Sequence, residues 1–400
     1  MRSVNAPLDG VRVVDLTTTF LGPYTTMLMA RMGADVVKVE TREGDVLRHV
    51  GTGAHPGMGP IFLTANHGKR SVALDLKSPG GRAAMRRLVA GADAFVTNMR
   101  PEAVQRLGLG PDELTGADER LVYLALRGFG AEGPYRNRAA YDDVIQAACG
   151  LAAVQGGSGD PDYVRSVVAD KAVALMGLAA VNAALFARER TGRGGFVEVP
   201  MFESMVSFLM LEQQNARVLD PDGPCGYSRT ASPNRRPYRT ADGFLGVVVY
   251  TDKQWLSFFE LIGRPELAHS ERYSTITGRT EHIDELYGLV AAELPGRTNA
   301  EWVAAMEPLG IPVQPVLSPD DLFDDAHLRA VELFEQVPHP SEGTITLPRL
   351  PMSFGGAHVP PVRGAPRLGE HGADVLAEAG LSAEEVERLR ADGVLTGLGT

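Results

Sequence analysis

"VRVVDLTTTFLGPYTTMLMARMGADVVKVE", residues 11–40, decides the fold class. It opens on a short β-branched run, continues as a turn and a helix, and ends on a second apolar run of strand length, "ADVVKVE". Strand, helix and strand in such close succession form the unit from which parallel sheets are built. The pattern repeats downstream. "RSVALDL" (70–76) reads as a strand, "SPGGRAAMRRLVAGA" (78–92) as a helix opened by Ser78 and Pro79, and "DAFVTNM" (93–99) as a strand. "RPEAVQRLG" (100–108) is a helix and "RLVYLALRGFG" (120–130) a strand. This alternation predicts an α/β fold, a doubly wound, mainly parallel sheet that places ligands at the C-terminal ends of its strands.

Further on, "RTGRGGFVEVPMFESMVSFLML" (190–211) gives a glycine-rich turn, a strand and an amphipathic helix. The character changes after Leu219. "DPDGPCGYSRTASPNRRPYRTADGF" (220–244) is dense in proline, glycine, serine and arginine, as expected of a linker and functional loop leading into a second domain. That domain holds the strands "LGVVVYT" (245–251) and "IPVQPVL" (311–317), with helices over 252–263, 279–294 and 299–310 between them. Beyond Val337 the chain reads as irregular and proline-rich, and residues 373–393 close it as a helical hairpin.

Composition narrows the function. With 50 acidic against 39 basic residues, the net charge of -11 opposes binding to a phosphate backbone, so no nucleic-acid partner is expected. Cys149 and Cys225 are the only cysteines, and the nine histidines are scattered, so neither a disulfide framework nor a metal site is expected. This fits a reducing cytoplasm. The N-terminus lacks a charged region followed by an apolar one, and no signal peptide is expected. The longest apolar segment, 172–187, is shorter than a bilayer span and contains Asn182, so it reads as a core helix and not as a membrane anchor.

The opening strand–helix–strand unit, with Glu40 ending its second strand, imitates a dinucleotide site. After "VVDL", however, the chain has "TTTFLGP" and not GxGxxG, so its backbone cannot approach a pyrophosphate as that motif requires. Walker, GxSxG and HExxH sequences are also missing. The remaining candidate reagent is Asp170 in "VVADKAVALMG" (167–177), one acid between a β-branched run and a long apolar helix. There it would serve as the N-cap of a helix over 171–190. The positive end of the helix would also keep it ionised, and nearby N–H groups would stabilise an oxyanion formed if it attacked a carbonyl.

Several blocks carry a resemblance. Residues 8–40, "KRSVALDLKSPGGR" (69–82), "VTNMRPEAVQRLGLG" (96–110), "GFGAEGPYRNRAAYDDVIQAACGL" (128–151), residues 167–205 and "RLGEHGADVL" (367–376) are similar, in order, to the family III CoA-transferases, the CaiB/BaiF group that includes formyl-CoA:oxalate CoA-transferase. The resemblance implies a Rossmann-like large domain built from both chain ends (1–219 and 337–400), a smaller inserted α/β domain with its linker (220–336), and an interlocked homodimer. It implies an enzyme that moves CoA from an acyl-CoA donor to a small carboxylic acid, with Asp170 as nucleophile through anhydride and aspartyl-CoA intermediates. CoA thioesters are then substrates, and no tightly bound cofactor is needed.

Carried over by position, the CoA contacts are Phe20, Leu21, Thr41, Leu74, Asp75, Leu76, Lys77, Asn98, Met99, Arg100, Arg106, Arg138, Ala139, Ala140 and Tyr141. Lys77, Arg100, Arg106 and Arg138 offer the ammonium and guanidinium groups that CoA phosphates require. Thr41 and Ala139 replace residues that are basic in some relatives, leaving Arg42 or Arg138 to stand in. The glycine-rich loop that covers the oxalate enzyme's site is absent, and "TASPNRRPYRTADG" (230–243) occupies that region. Arg235 and Arg236 there, with Asp142, are candidates for the acceptor site. The α-methylacyl-CoA racemases, which share the fold, use a histidine where this chain has Tyr141. Tyrosine is a poor base at neutral pH, which disfavours that alternative.

Overall fold

β1 (Arg12–Leu16), α1 (Leu21–Arg31) and β2 (Asp35–Glu40) form where the apolar periodicity sets them. The computed structural model describes residues 6–360 and 363–397. β3 (Arg70–Leu74), β4 (Ala94–Thr97), β5 (Val122–Arg127) and β6 (Gly195–Pro200) join the first two strands in parallel. The sheet order from β3 is β3-β2-β1-β4-β5-β6. That order reverses direction between β1 and β4, and such a switch point opens a crevice at the strand C-termini.

The connecting helices are α2 (Pro60–Asn66), α3 (Pro79–Ala90), α4 (Pro101–Arg106), α5 (Pro111–Ala117), α6 (Asp142–Ala148), α7 (Leu151–Gly156) and α8 (Val168–Thr191). Ser78 caps α3 by accepting the Gly81 N–H at 2.9 Å, as "SPGG" leads one to expect. Successive side chains along β5 are buried on both faces of the sheet. Phe95 and Tyr123 join a core with Leu88 and Val89 of α3 and Val375 and Leu376 near the C-terminus. On the opposite face, Leu126 meets Gly177 of α8, where an added Cβ would stand 2.9 Å from its Cδ2. Glycine at 177 therefore lets α8 lie close to the sheet.

The chain divides into two compact units. One comprises Met1–Cys149, Val164–Val206 and Ala330–Thr400, and the other Gly150–Tyr163 and Ser207–Arg329. The second unit has its own three-stranded sheet of β7 (Tyr238–Arg239), β8 (Phe244–Val247) and β9 (Val313–Pro315). Its core is built on Trp255, Phe258, Phe259, Leu286 and Trp302.

In three places the structure corrects or adds to what the sequence shows. The stretch beyond Val337 is not irregular throughout, because β10 (Phe334–His339) and β11 (Gly343–Pro348) form an antiparallel hairpin. β12 (Ser353–Phe354) and β13 (Ala357–His358) form a second, shorter one. Proline at both strand ends hid the first hairpin. β14 (Leu395–Thr396) adds antiparallel to β3 from a sequence too short to show a period. Finally, α8 runs for 24 residues and is long and apolar enough by length and composition to cross a membrane. Ala169, Val173, Ala174, Gly177, Leu178, Val181 and Leu185 are nevertheless buried in the protein, as in a core helix.

Candidate active site

The loops following β1 to β4 enclose a cavity of about 900 Å³ at the switch point. It is lined by Thr41, Leu74, Asp75, Leu76, Lys77, Met99 and Arg106, seven of the residues expected to meet CoA. Arg42 lines it as well. Arg82, which the sequence blocks did not single out, does too, and its Nη1 donates to the Lys77 carbonyl at 2.6 Å. Its signal was its place in the first turns of α3, beside the glycine pair.

A second cavity, of about 210 Å³, gathers Leu21, Asn98, Arg100, Arg138, Ala139, Ala140, Tyr141 and Asp170. Thr18 lines both cavities. Residues 138–141 reach the end of β5 because Gly128 has no side chain, since a Cβ there would fall 2.4 Å from that of Ala140. The Arg138 guanidinium lies 3.7 Å from the centre of the Tyr135 ring. Phe20 lines neither cavity. It stands at the N-cap of α1 and packs against the Leu47 and Phe62 cluster.

Asp170 is not the N-cap of its helix. α8 begins two residues earlier than Asp170, Val167 holds the cap position, and Asp170 belongs to the first turn. Its backbone N–H donates to Asp142 Oδ2 at 2.9 Å. Asp142 is buried, and its other oxygen accepts from Gln146 Nε2 at 2.5 Å. Gln146 Oε1 in turn accepts the Val164 N–H at 2.9 Å. The pair clamps the segment that leads into α8.

Nor does the helix terminus hold the Asp170 carboxyl in its usual range. Burial first, and the Asp142 carboxylate second, raise its pKa to about 7, against a lowering hydrogen bond from the Leu21 backbone. Desolvation and a like charge outweigh the helix dipole here.

The turn between β1 and α1 rests on buried charge. Lys38 Nζ lies 2.9 Å from Asp45 and donates to the Thr17 carbonyl at 2.8 Å, and Lys69 bonds Asp15 at 2.9 Å. Asp45 Oδ1 accepts from the Thr18 hydroxyl at 3.1 Å and the Thr19 N–H at 3.2 Å. Asn98 grips Thr18 from the other side, donating to its carbonyl at 2.8 Å. This holds Thr19 at φ +66, a conformation a β-branched residue rarely adopts. Lys38 lies within an apolar strand-like run and Lys69 just before one, and nothing in the sequence marks their partners.

Arg235 and Arg236 belong to the second unit and line neither cavity. Among the described residues no cluster of three or more His, Cys, Asp or Glu is arranged to hold a metal.

The sequence model of CoA-transferase family III matches residues 8–372. The chain is 33% identical to a succinate–glutarate CoA-transferase of Agrobacterium fabrum, over 96% of this chain and 97% of that one. It is 32% identical to a formyl-CoA:oxalate CoA-transferase of Streptomyces avermitilis, over 97% and 99%. Among solved structures, a CaiB/BaiF family protein from Brucella suis superposes with a TM-score of 0.80 at 29% identity, covering 94% of this chain and all of that one.

Proposed function

The chain belongs to CoA-transferase family III, and from that membership we infer that it moves CoA from an acyl-CoA donor to a small carboxylic acid through covalent intermediates on Asp170. One observation carries this reading. Asp170 is the carboxylate in the smaller cavity, which shares Thr18 with the larger one, and the larger has the volume and the Lys77, Arg82 and Arg106 cations suited to a nucleotide end.

In this mechanism an Asp170 oxygen attacks the thioester carbon, the C–S bond breaks, and CoA thiolate leaves a mixed anhydride. The thiolate then attacks the Asp170 carbonyl and expels the donor acid, which carries away one Asp170 oxygen. The acceptor carboxylate attacks the resulting aspartyl-CoA thioester and re-forms an anhydride and the thiolate. Attack of the thiolate on the acceptor acyl carbon yields the new acyl-CoA and returns Asp170 with one acceptor oxygen. A pKa near 7 leaves the resting carboxylate both ionisable and more basic than an exposed aspartate, hence a stronger nucleophile. Asp142 acts indirectly, fixing the Asp170 backbone.

The acids in the relatives' names, glutarate, succinate and oxalate, are all dicarboxylic, which supports a dicarboxylic acid as the acceptor. A large domain formed by both chain ends would bind CoA, and the smaller inserted domain, with Arg235 and Arg236, would select the acid. Two copies would interlock in the cytoplasm. Apolar side chains left exposed by a single chain, such as Phe186 and Leu211, suit such a partner. Racemisation is not favoured, since Tyr141 stands where a base is needed. The test is to incubate succinyl-CoA or formyl-CoA with a panel of short mono- and dicarboxylic acids and identify new thioesters by mass spectrometry. New thioesters made by the native enzyme and absent with Asp170→Asn support the reading, and equal yields from both refute it.

A further inference from the structure

Four cations on the wall of the larger cavity stand outside any ion pair among the described residues: Arg42, Lys77, Arg82 and Arg106. Two of the acids beside them are taken, Glu40 by Arg48 and Asp45 by Lys38. Asp75 turns one oxygen to the Lys77 N–H at 3.0 Å, and Glu43 is the remaining acid on the wall. In a protein of net charge -11, this wall keeps an excess of positive charge.

Arg82 is held ready by its surroundings. The turn before it is tight, with Ser78 Oγ donating to the Asp75 carbonyl at 2.8 Å and Gly81 so close that a Cβ there would stand 2.1 Å from the same oxygen. The Arg82 side chain folds back over this turn, where Nη1 donates to the Lys77 carbonyl at 2.6 Å. Nε and Nη2 make no hydrogen bond among the described residues and are not buried, so they are free for a ligand. One anchored nitrogen orients the whole planar fork, which suits a phosphate and loses less freedom on binding than an unanchored side chain.

The sheet order says which phosphate. Residues that follow β4 and β5, among them Asn98, Arg100, Gly128 and Ala140, form most of the wall around Asp170 in the smaller cavity. Lys77 and Arg82 follow β3, which lies three strand spacings from β4 in the order β3-β2-β1-β4. At about 4.8 Å per spacing, that is about 14 Å outward along the sheet. With its thioester at Asp170, CoA runs through the pantetheine arm to the pyrophosphate, and the ribose 3′-phosphate lies beyond. This outermost group is a phosphate monoester with nearly two charges at neutral pH. Two adjacent cations at the outer end of the cavity match it.

We propose that Arg82, together with Lys77, binds the 3′-phosphate of CoA and so selects CoA over carriers that lack that group. This rests on the CoA-transferase reading above and names the contact that chooses the carrier.

A double cycle on protein and ligand tests it. Binding of CoA and of dephospho-CoA, which lacks only the 3′-phosphate, to the full-length protein is measured by calorimetry at fixed ionic strength, for the native protein and Arg82→Gln. The native protein is expected to favour CoA by at least about tenfold. The substitution is expected to weaken CoA by about tenfold and dephospho-CoA by less than about twofold. Arg82→Lys, which keeps the charge and loses the fork, falls between the two and serves if the glutamine variant does not fold. A side chain that merely braced the turn would weaken both nucleotides in parallel. Such parallel losses, an unchanged CoA affinity, or a native protein that binds both nucleotides equally overturn the proposal alone. A native protein that binds neither overturns it together with the transferase reading.

Discussion

Asp170→Asn is expected to make the protein more stable, and increasingly so as pH rises. Burial and Asp142 raise the folded pKa of Asp170 from 3.8 to about 7. Between those values the folded state holds a proton that the unfolded chain has released, so stability falls as pH climbs through that window and is flat above it. A tenfold difference in proton affinity between the two states is worth about 1.4 kcal/mol, giving a gross cost of about 4 kcal/mol above pH 7. Roughly half survives solvent screening of a partly exposed group. Asparagine keeps the shape and carries no charge, so the stability gap between variant and native protein should widen by about 1–2 kcal/mol from pH 5 to pH 8. Urea unfolding of both proteins at the two pH values measures it, and the remaining titrations cancel in the difference. A gap that stays constant or narrows with pH would refute the claim that desolvation and Asp142 govern this carboxyl.

Asp142→Asn removes the like charge, and because burial is the larger cause of the raised pKa, the pH midpoint of Asp170 acylation by an acyl-CoA should fall by no more than about 1.5 below that of the native enzyme. Quenched-flow labelling across pH 5–9 reads it, and an unmoved or raised midpoint contradicts the assignment. Asp45→Ala strips Lys38 of its ion pair and the 17–19 turn of its acceptor, and should cost about 3–5 kcal/mol in urea unfolding. Gly177→Leu forces a side chain against Leu126 and should cost about 1–3 kcal/mol, whereas Gly192→Leu, at a site with open space but positive φ, strains the backbone alone. Gly128→Val should push Ala140 away and raise KM for acyl-CoA severalfold, and an unchanged KM would show that the 138–141 segment is not a CoA contact.

What the sequence made legible follows from which interactions are local. β1, α1 and β2 announce themselves through their own periodicity, and Ser78 announces α3 through a cap three residues long. Motif blocks placed Lys77 and Arg106 on cavity walls because each block follows a strand, where a doubly wound sheet leaves room, and Asp170 reaches the smaller cavity from the first turn of α8. Harder to read were contacts that join distant positions. The Asp142–Gln146 clamp on the Asp170 backbone spans 28 residues of sequence, and Lys38 and Asp15 sit in runs that otherwise read as core while their partners Asp45 and Lys69 lie in polar loops. The expectation of a capping, fully ionised Asp170 failed for the same reason. The dipole belongs to its own helix and could be read, but the desolvation and the Asp142 charge come from elements that only the fold brings near.

The most direct test of the mechanism is peptide mass spectrometry after the protein meets an acyl-CoA and is quenched with hydroxylamine, which converts an activated aspartyl carbonyl to a hydroxamate. The mechanism predicts a hydroxamate on Asp170 and on no other carboxylate, with none formed when CoA thioester is omitted. An unmodified Asp170 in protein that turns over acyl-CoA would contradict it.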